Sequence, residues 1–222
     1  MLAGSAQFAD RQDAGRQLAK AVAALNLEHP VVLALPRGGV PVAFEIARAL
    51  RAPLDLLLVR KIGAPGHEEY GLGAVVDGDD PQIVLNDEIM RMVDPPAGYV
   101  ESRARRELAE LERRRKAYFG SRPPISIKGR TVIVVDDGIA TGVTVTAALK
   151  GLKRTSAARV ILAVPVAPAD AIKVLRPEVD DIVCLATPEH FSAVGLHYED
   201  FGQTTDHEVV TLLNEAKRWA AD

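Results

Sequence analysis

Val132-Ile133-Val134-Val135-Asp136-Asp137-Gly138-Ile139-Ala140-Thr141-Gly142-Val143-Thr144 is the stretch that decides how this chain folds. Four β-branched residues run into two adjacent carboxylates, and a short loop of small and hydroxylated residues follows. An apolar run without polar alternation predicts a parallel strand buried on both faces, over 131–135. A helical pattern then occupies 143–153. The carboxylates therefore fall at the C-terminal end of a strand, where open α/β sheets hold ligands. The loop's N–H groups and hydroxyls open a helix N-terminus, which is a seat for phosphate. Two acids suited to hydroxyls, beside an anion seat, fit a sugar phosphate better than a bare anion or an adenine dinucleotide. An Asp-Asp pair after a strand also serves as a helix cap in a solvated turn. The attached Thr-Gly-x-Thr loop favours the ligand.

A second strand-to-helix turn lies upstream, Leu35-Pro36-Arg37-Gly38-Gly39-Val40-Pro41, between a short apolar strand at 31–35 and a helical run at 40–50. Paired glycines let a backbone approach a ligand closely and let adjacent N–H groups point at an anion. They serve a tight turn equally well. Two such turns, each after a strand, can meet at a topological switch point. Around them the chain alternates further, with a helix at 8–25, strands at 54–59, 160–164 and 182–186, and helices at 95–118 and 169–175. Residues 74–76 and 82–85 flank Asp77-Gly78-Asp79-Asp80-Pro81 as a hairpin. The Gly-rich, polar segment 61–73 predicts a mobile loop. Residues 188–205 are irregular and aromatic, and Asp206 is the expected cap of a terminal helix reaching 219–220. Strands alternating with helices argue for an α/β fold, a parallel sheet flanked by helices. The whole chain, 1–222, is expected to form a single domain: a core over about 26–186, a small C-terminal hood over 187–205 and a terminal helix.

The Asp136–Thr144 stretch resembles the phosphoribosyl pyrophosphate (PRPP) loop of type I phosphoribosyltransferases. The resemblance implies Asp136 and Asp137 on the ribose hydroxyls, and Ala140, Thr141, Gly142, Val143 and Thr144 around the 5-phosphate. Two departures stand out. Gly138 replaces an aliphatic residue, and Ala140 replaces the Asp that hypoxanthine–guanine members carry as a candidate acid/base group. The Ala-Thr-Gly sequence is closer to adenine-type members. The same resemblance makes Arg37, Gly38 and Gly39 the pyrophosphate loop. It puts a flexible catalytic loop near Arg60-Lys61-Ile62-Gly63-Ala64-Pro65-Gly66-His67-Glu68-Glu69-Tyr70-Gly71, with Lys61 as the candidate pyrophosphate contact and Arg60, His67, Glu69 and Tyr70 as weaker candidates. The C-terminal hood would select the acceptor, with Phe191 or Tyr198 stacking on a planar base, although aromatics closing a small core explain these residues equally well. Mg²⁺ is the implied cofactor, carried by PRPP, with Asp136 and Asp137 as candidate protein ligands.

The implied activity is transfer of 5-phosphoribose from PRPP to a nitrogenous base or amine, with release of pyrophosphate. The alternative is a catalytically inactive PRPP-binding regulator of nucleotide metabolism, since such regulators share the fold and the loop. The implied partners are PRPP, a small nitrogenous acceptor and a second copy of the chain in a homodimer.

Composition narrows the remaining classes. The 222 residues are 48% hydrophobic and 26% charged, which supports a large core on a polar surface. A net charge of −3 gives no overall pull toward nucleic acid or a membrane. No apolar run approaches a membrane span, and no signal peptide is visible. The single Cys184, in an apolar run, is expected to be a buried small hydrophobe, and a cytoplasmic location is expected. Seven cations between Arg103 and Lys116 crowd one helix, but four glutamates interleave with them, three at i,i+4 spacing. A solvated helix or a dimer contact is favoured there over a nucleic-acid surface. Gly71-Leu72-Gly73 lacks the third glycine and the following helix of a dinucleotide fingerprint, and no metal-ligand spacing joins His190 to His197.

Overall fold

The computed structural model describes residues 7–219, without the side chains of 68–70. Its centre is a parallel sheet of five strands: β1 (Pro30–Ala34), β2 (Leu54–Leu56), β6 (Thr131–Val135), β7 (Arg159–Val166) and β8 (Asp181–Ala186), in the order β2-β1-β6-β7-β8. Val132 to Val135 are fully buried, as a strand covered on both faces requires. Alternation along the strands sorts the two cores. Val32, Ala34, Ile133 and Val135 face a cluster built with Leu18 and Val22 of α1 (Arg11–Ala23), Phe44 and Ile46 of α2 (Gly39–Leu50), Leu111 of α4 (Tyr99–Phe119) and Leu213 of α7 (Asp206–Ala216). Val31, Leu33, Val132 and Val134 face the other cluster, with Val145 and Leu149 of α5 (Val143–Leu152) and Leu175 of α6 (Ala169–Leu175).

The segment expected to be a mobile loop is instead a hairpin. β3 (Val59–Ala64) and β4 (His67–Val76) pair antiparallel, and β5 (Gln82–Leu85) joins β4 through the turn foreseen at 77–81. Ile62 and Leu72 are fully buried. Gly73 reflects packing rather than freedom, because a Cβ there would lie 2.2 Å from the Val84 carbonyl oxygen. The strand expected at 54–59 therefore divides into β2 and the start of β3. A short helix, α3 (Asp87–Val93), precedes α4, capped by the Asn86 side chain on the N–H groups of Glu88 and Ile89. The first helix begins at Arg11, capped by Asp10, so Phe8 lies outside it. The terminal helix is capped by Thr205, whose hydroxyl accepts the Glu208 N–H at 3.1 Å, and Asp206 is its first residue.

The cationic α4 is not solvated throughout. Arg115 is buried between two carboxylates, 2.7 Å from Asp55 and 3.0 Å from Asp77. Asp55 follows Leu54 in β2, and Asp77 closes β4, so one guanidinium ties the hairpin and α4 to the sheet edge. Asp77 also accepts the Leu58 N–H at 2.6 Å, and Asp55 accepts that of Ile125 at 2.8 Å. Burial pushes the Asp77 carboxyl up to about 7, against the pull of Arg115. Of the three i,i+4 pairs expected on α4, Glu110–Arg114 forms, and Arg113 joins it on Glu110. Removing one partner of a buried ion pair strands the others. Arg115→Met is expected to lower unfolding free energy by about 3–5 kcal/mol in a denaturant titration. Arg114→Met on the exposed face serves as the near-neutral control.

Candidate active site

β1 and β6 are neighbours in the sheet, yet the chain leaves them in opposite directions. From β1 it runs through α2 to β2, and from β6 through α5 to β7. This is a topological switch point, and the crevice it opens holds both loops singled out from the sequence.

The two loops touch, and glycine makes that possible. A Cβ on Gly39 would lie 2.7 Å from the Val135 carbonyl oxygen and 2.9 Å from the Asp136 Cα. A Cβ on Gly38 would lie 2.0 Å from an Asp137 carboxylate oxygen. Any other residue at 39 would drive the 36–39 loop off the main chain of the acidic pair, and any other residue at 38 would displace the Asp137 carboxylate. The Leu35 N–H donates to the Val135 carbonyl at 2.8 Å, which extends the β1–β6 ladder to the edge of the crevice. The Pro36–Arg37 peptide bond is cis.

The two acids have different surroundings. Asp136 accepts the Asp137 N–H at 2.9 Å. Burial, followed by the neighbouring Asp137 charge, raises its carboxyl well above the usual carboxylate range. Asp137 faces a cation that sequence reasoning missed. Arg11, at the start of α1, donates its Nε–H to the Asp137 carboxylate at 2.7 Å. The same guanidinium donates to the Gly202 carbonyl at 2.5 Å and lies 3.8 Å from the Phe201 ring centroid. The Tyr198 hydroxyl donates to the Asp137 main-chain carbonyl at 2.5 Å. Burial, and then the Asp137 charge, raise the Tyr198 hydroxyl's pKa, so it remains a donor.

Beyond the acids, Gly138 has φ +156°, and a Cβ there would meet Val194 at 2.5 Å. The C-terminal segment thus fills the space that an aliphatic residue at 138 would take. The loop ends at Gly142, with φ +70°, the N-cap of α5, and no side chain caps that helix. Its first N–H groups therefore have no helical carbonyl to meet and face outward beside the exposed Ala140, Thr141, Val143 and Thr144.

Asp136, Asp137, Gly38 and Gly39 are thus brought into direct contact, with the 140–144 loop continuous with them. Arg37 stands at the rim, 3.5 Å from Asp206. Lys61 is exposed on β3 and makes no hydrogen bond or ion pair among the described residues, while Arg60 is held by Glu107 at 2.8 Å. His67 lies at the start of β4, and the side chains of Glu69 and Tyr70 lie outside the described ones. Tyr198 is buried between Phe8 and Phe201, ring centroids 5.3 and 5.0 Å away, so its ring closes a small core. Phe191 is half-buried and stacks on His197. Cys184 is half-buried. Nothing in the local sequence at Arg11 marks it, because its partner is 126 residues away.

A model of the phosphoribosyl transferase domain matches residues 6–199. The chain belongs to the type I phosphoribosyltransferase family. Two Mycobacterium tuberculosis proteins, from strains CDC 1551 / Oshkosh and H37Rv, whose names carry a provisional phosphoribosyl transferase assignment, are each 47% identical over 211 residues. That match covers 95% of this chain and 47% of each relative, so the chain spans about half the length of the curated relatives it matches. A crystal structure from Thermus thermophilus is 46% identical, with a TM-score of 0.83, covering 94% of this chain and 98% of that one. A Neisseria gonorrhoeae protein crystallised with bound ppGpp shares the fold at 16% identity and a TM-score of 0.50, covering 95% of this chain and 91% of that one.

The loop contact has a direct consequence for stability. Gly39→Ala sets a methyl against main-chain atoms that cannot step aside. It is expected to cost about 1–3 kcal/mol by chemical denaturation. The same substitution at Gly66, where a Cβ would meet nothing within 4 Å, carries only the cost of its φ of +73°.

Proposed function

We propose that this chain is a phosphoribosyltransferase, moving 5-phosphoribose from PRPP to a nitrogenous base or amine with release of pyrophosphate. The observation that carries this reading is the contact of two phosphate-compatible loops at one switch point, with two carboxylates at their junction. PRPP has a phosphate at each end and hydroxyls between. In this reading the uncapped start of α5, with Ala140, Thr141, Gly142, Val143 and Thr144, holds the 5-phosphate. Arg37, Gly38 and Gly39 hold the pyrophosphate. Asp136 and Asp137 hold the ribose hydroxyls, and their carboxyl oxygens face the cation-like sugar that forms as the bond at C1 breaks. Arg11 acts through Asp137, fixing its orientation from behind.

In the transfer, the C1–O bond to pyrophosphate breaks and its electron pair leaves with the pyrophosphate. The acceptor nitrogen forms the new bond to C1 and gives up a proton, for which the departing pyrophosphate is the nearest base. The chain's contribution is therefore mostly positioning and fixed charge. Lys61, on the hairpin, is the candidate to reach the leaving group, and Phe191 the candidate to meet the acceptor. Among the described residues no cluster of three or more acids, histidines or cysteines stands ready for a metal. Mg²⁺ is commonly held by one or two carboxylates together with substrate oxygens. The Asp136–Asp137 pair, with Asp137 already engaged by Arg11, fits an ion that arrives with PRPP and neutralises its pyrophosphate. No described helix is long and apolar enough to cross a membrane. A cytoplasmic homodimer is the setting we propose.

Ala140 favours a second reading. It is exposed in the loop where an acid/base group would stand, which suits a regulator that binds PRPP without turnover. One experiment separates the two. Mg²⁺-dependent pyrophosphate release from PRPP is measured against purines, pyrimidines, nicotinate and small amines, with the Asp136→Asn/Asp137→Asn double variant as control. The expected result is release with one acceptor, at least tenfold lower in the control. PRPP binding without release for any acceptor would favour the regulator. Unchanged PRPP affinity in the control, with native-like melting, would overturn the assignment of the loop.

A further inference from the structure

Outward from Arg37 the molecule opens into a cleft that shares only the edge of the 36–39 loop with the proposed transfer. It measures about 480 Å³ and lies between the C-terminal half of α4, the first turn of α7 and the 36–39 loop. That volume suits a small ligand. Three guanidinium groups line it, from Arg37, Arg113 and Arg114, together with the Tyr118 hydroxyl. One carboxylate of the chain already stands among them. Asp206 is 3.5 Å from Arg37 and accepts the Tyr118 hydroxyl at 2.8 Å.

The donors in this cleft are under-used. The Arg37 guanidinium makes that single ion pair and no hydrogen bond among the described residues. Arg114 reaches Glu110 through Nε alone, at 2.9 Å, which leaves both of its terminal amino groups unpaired among the described residues. Arg113 grips the same carboxylate with Nε and one terminal amino group, and its other terminal amino group is unpaired among the described residues. Glu110 serves Arg113 and Arg114 and Asp206 serves Arg37, yet three terminal amino groups of Arg113 and Arg114 have no partner among the described residues, and a chain of phosphates offers each a charged oxygen. A concave cleft ending at Arg37 also fits a compact anion better than the flat stripe that would track a nucleic-acid backbone.

We propose that this cleft is a second anion site, for a phosphorylated small molecule of the oligophosphate class, and that Asp206 is the resident carboxylate the ligand displaces. The site shares Arg37 with the 36–39 loop. An anion in the cleft therefore draws Arg37 away from PRPP and weakens PRPP binding. That second consequence rests on the proposed function of the loop, but the site itself does not.

Inorganic tripolyphosphate, without Mg²⁺, is the probe, titrated calorimetrically into the full chain. Saturable binding is expected. Arg113→Ala/Arg114→Ala should weaken it about tenfold or more, the loss of two charge-assisted contacts. Both residues are exposed, so the fold should survive, and an unchanged melting temperature checks this. Asp206→Asn should tighten binding several-fold, and Asp136→Asn/Asp137→Asn should leave it unaltered. Tripolyphosphate should raise the apparent Kd for PRPP several-fold more in the native chain than in Arg113→Ala/Arg114→Ala. No saturable binding, or binding undiminished in Arg113→Ala/Arg114→Ala, would overturn the proposal. If PRPP itself fails to bind while tripolyphosphate binding still depends on Arg113 and Arg114, the proposed function fails and the cleft stands.

Discussion

The rest of the site depends on one steric constraint, the contact between the 36–39 loop and the Asp136–Asp137 pair. The main-chain approach requires that position 39 carry no Cβ, and the place of the Asp137 carboxylate requires the same of position 38. Parallel strands place the two loops side by side, but ordinary side chains would hold them apart. With glycines, backbone meets carboxylate directly, and the two loops become ends of one crevice. The constraint also explains why the strands must be buried and inflexible. The contact is useful only if β1 and β6 hold their loops in fixed register, which the Leu35–Val135 hydrogen bond carries to the edge.

A second layer of interactions holds the acids in place from behind. Burial pushes the Asp136 carboxyl upward, and the neighbouring Asp137 charge adds to it. Arg11 offsets that charge by pairing with Asp137. It is itself fixed by the Phe201 face and the Gly202 carbonyl, while Tyr198 holds the Asp137 backbone. The C-terminal segment and the start of α1 thus converge on a single acid. The segment expected to select an acceptor also sets the geometry of the acidic pair, and Tyr198 contributes through its hydroxyl while its ring packs inward.

Much of this was legible in the sequence, for physical reasons. Unbroken β-branched runs such as Val132–Val135 fit a buried strand best, and the two loops announced themselves by glycine and acid placement at strand ends. The alternation of strand and helix then left few topologies, and the family resemblance follows the same residues. What escaped depends on distance in the chain or on packing. Glycines at 63, 71 and 73 look like a loop to a local reading, yet Gly73 is small because β5 passes against it. Arg115 looked like one more solvated cation of α4, and only the fold brings Asp55 and Asp77 to it. Arg11 carries no local signal at all. Gly138, a departure from the family pattern, makes sense once Val194 is seen to occupy its missing side chain's space.

The central claim is that both loops grip one ligand at once. Amide chemical shifts of Gly38, Gly39, Thr141 and Val143, followed while PRPP is titrated into the isotope-labelled chain, test it most directly. The account predicts that all four move together along one saturation curve, with the core amides of β6 and β7 still. Shifts at the 140–144 loop alone, with Gly38 and Gly39 unmoved at saturation, would contradict it, because the ligand would then occupy one anion seat and not bridge the pair.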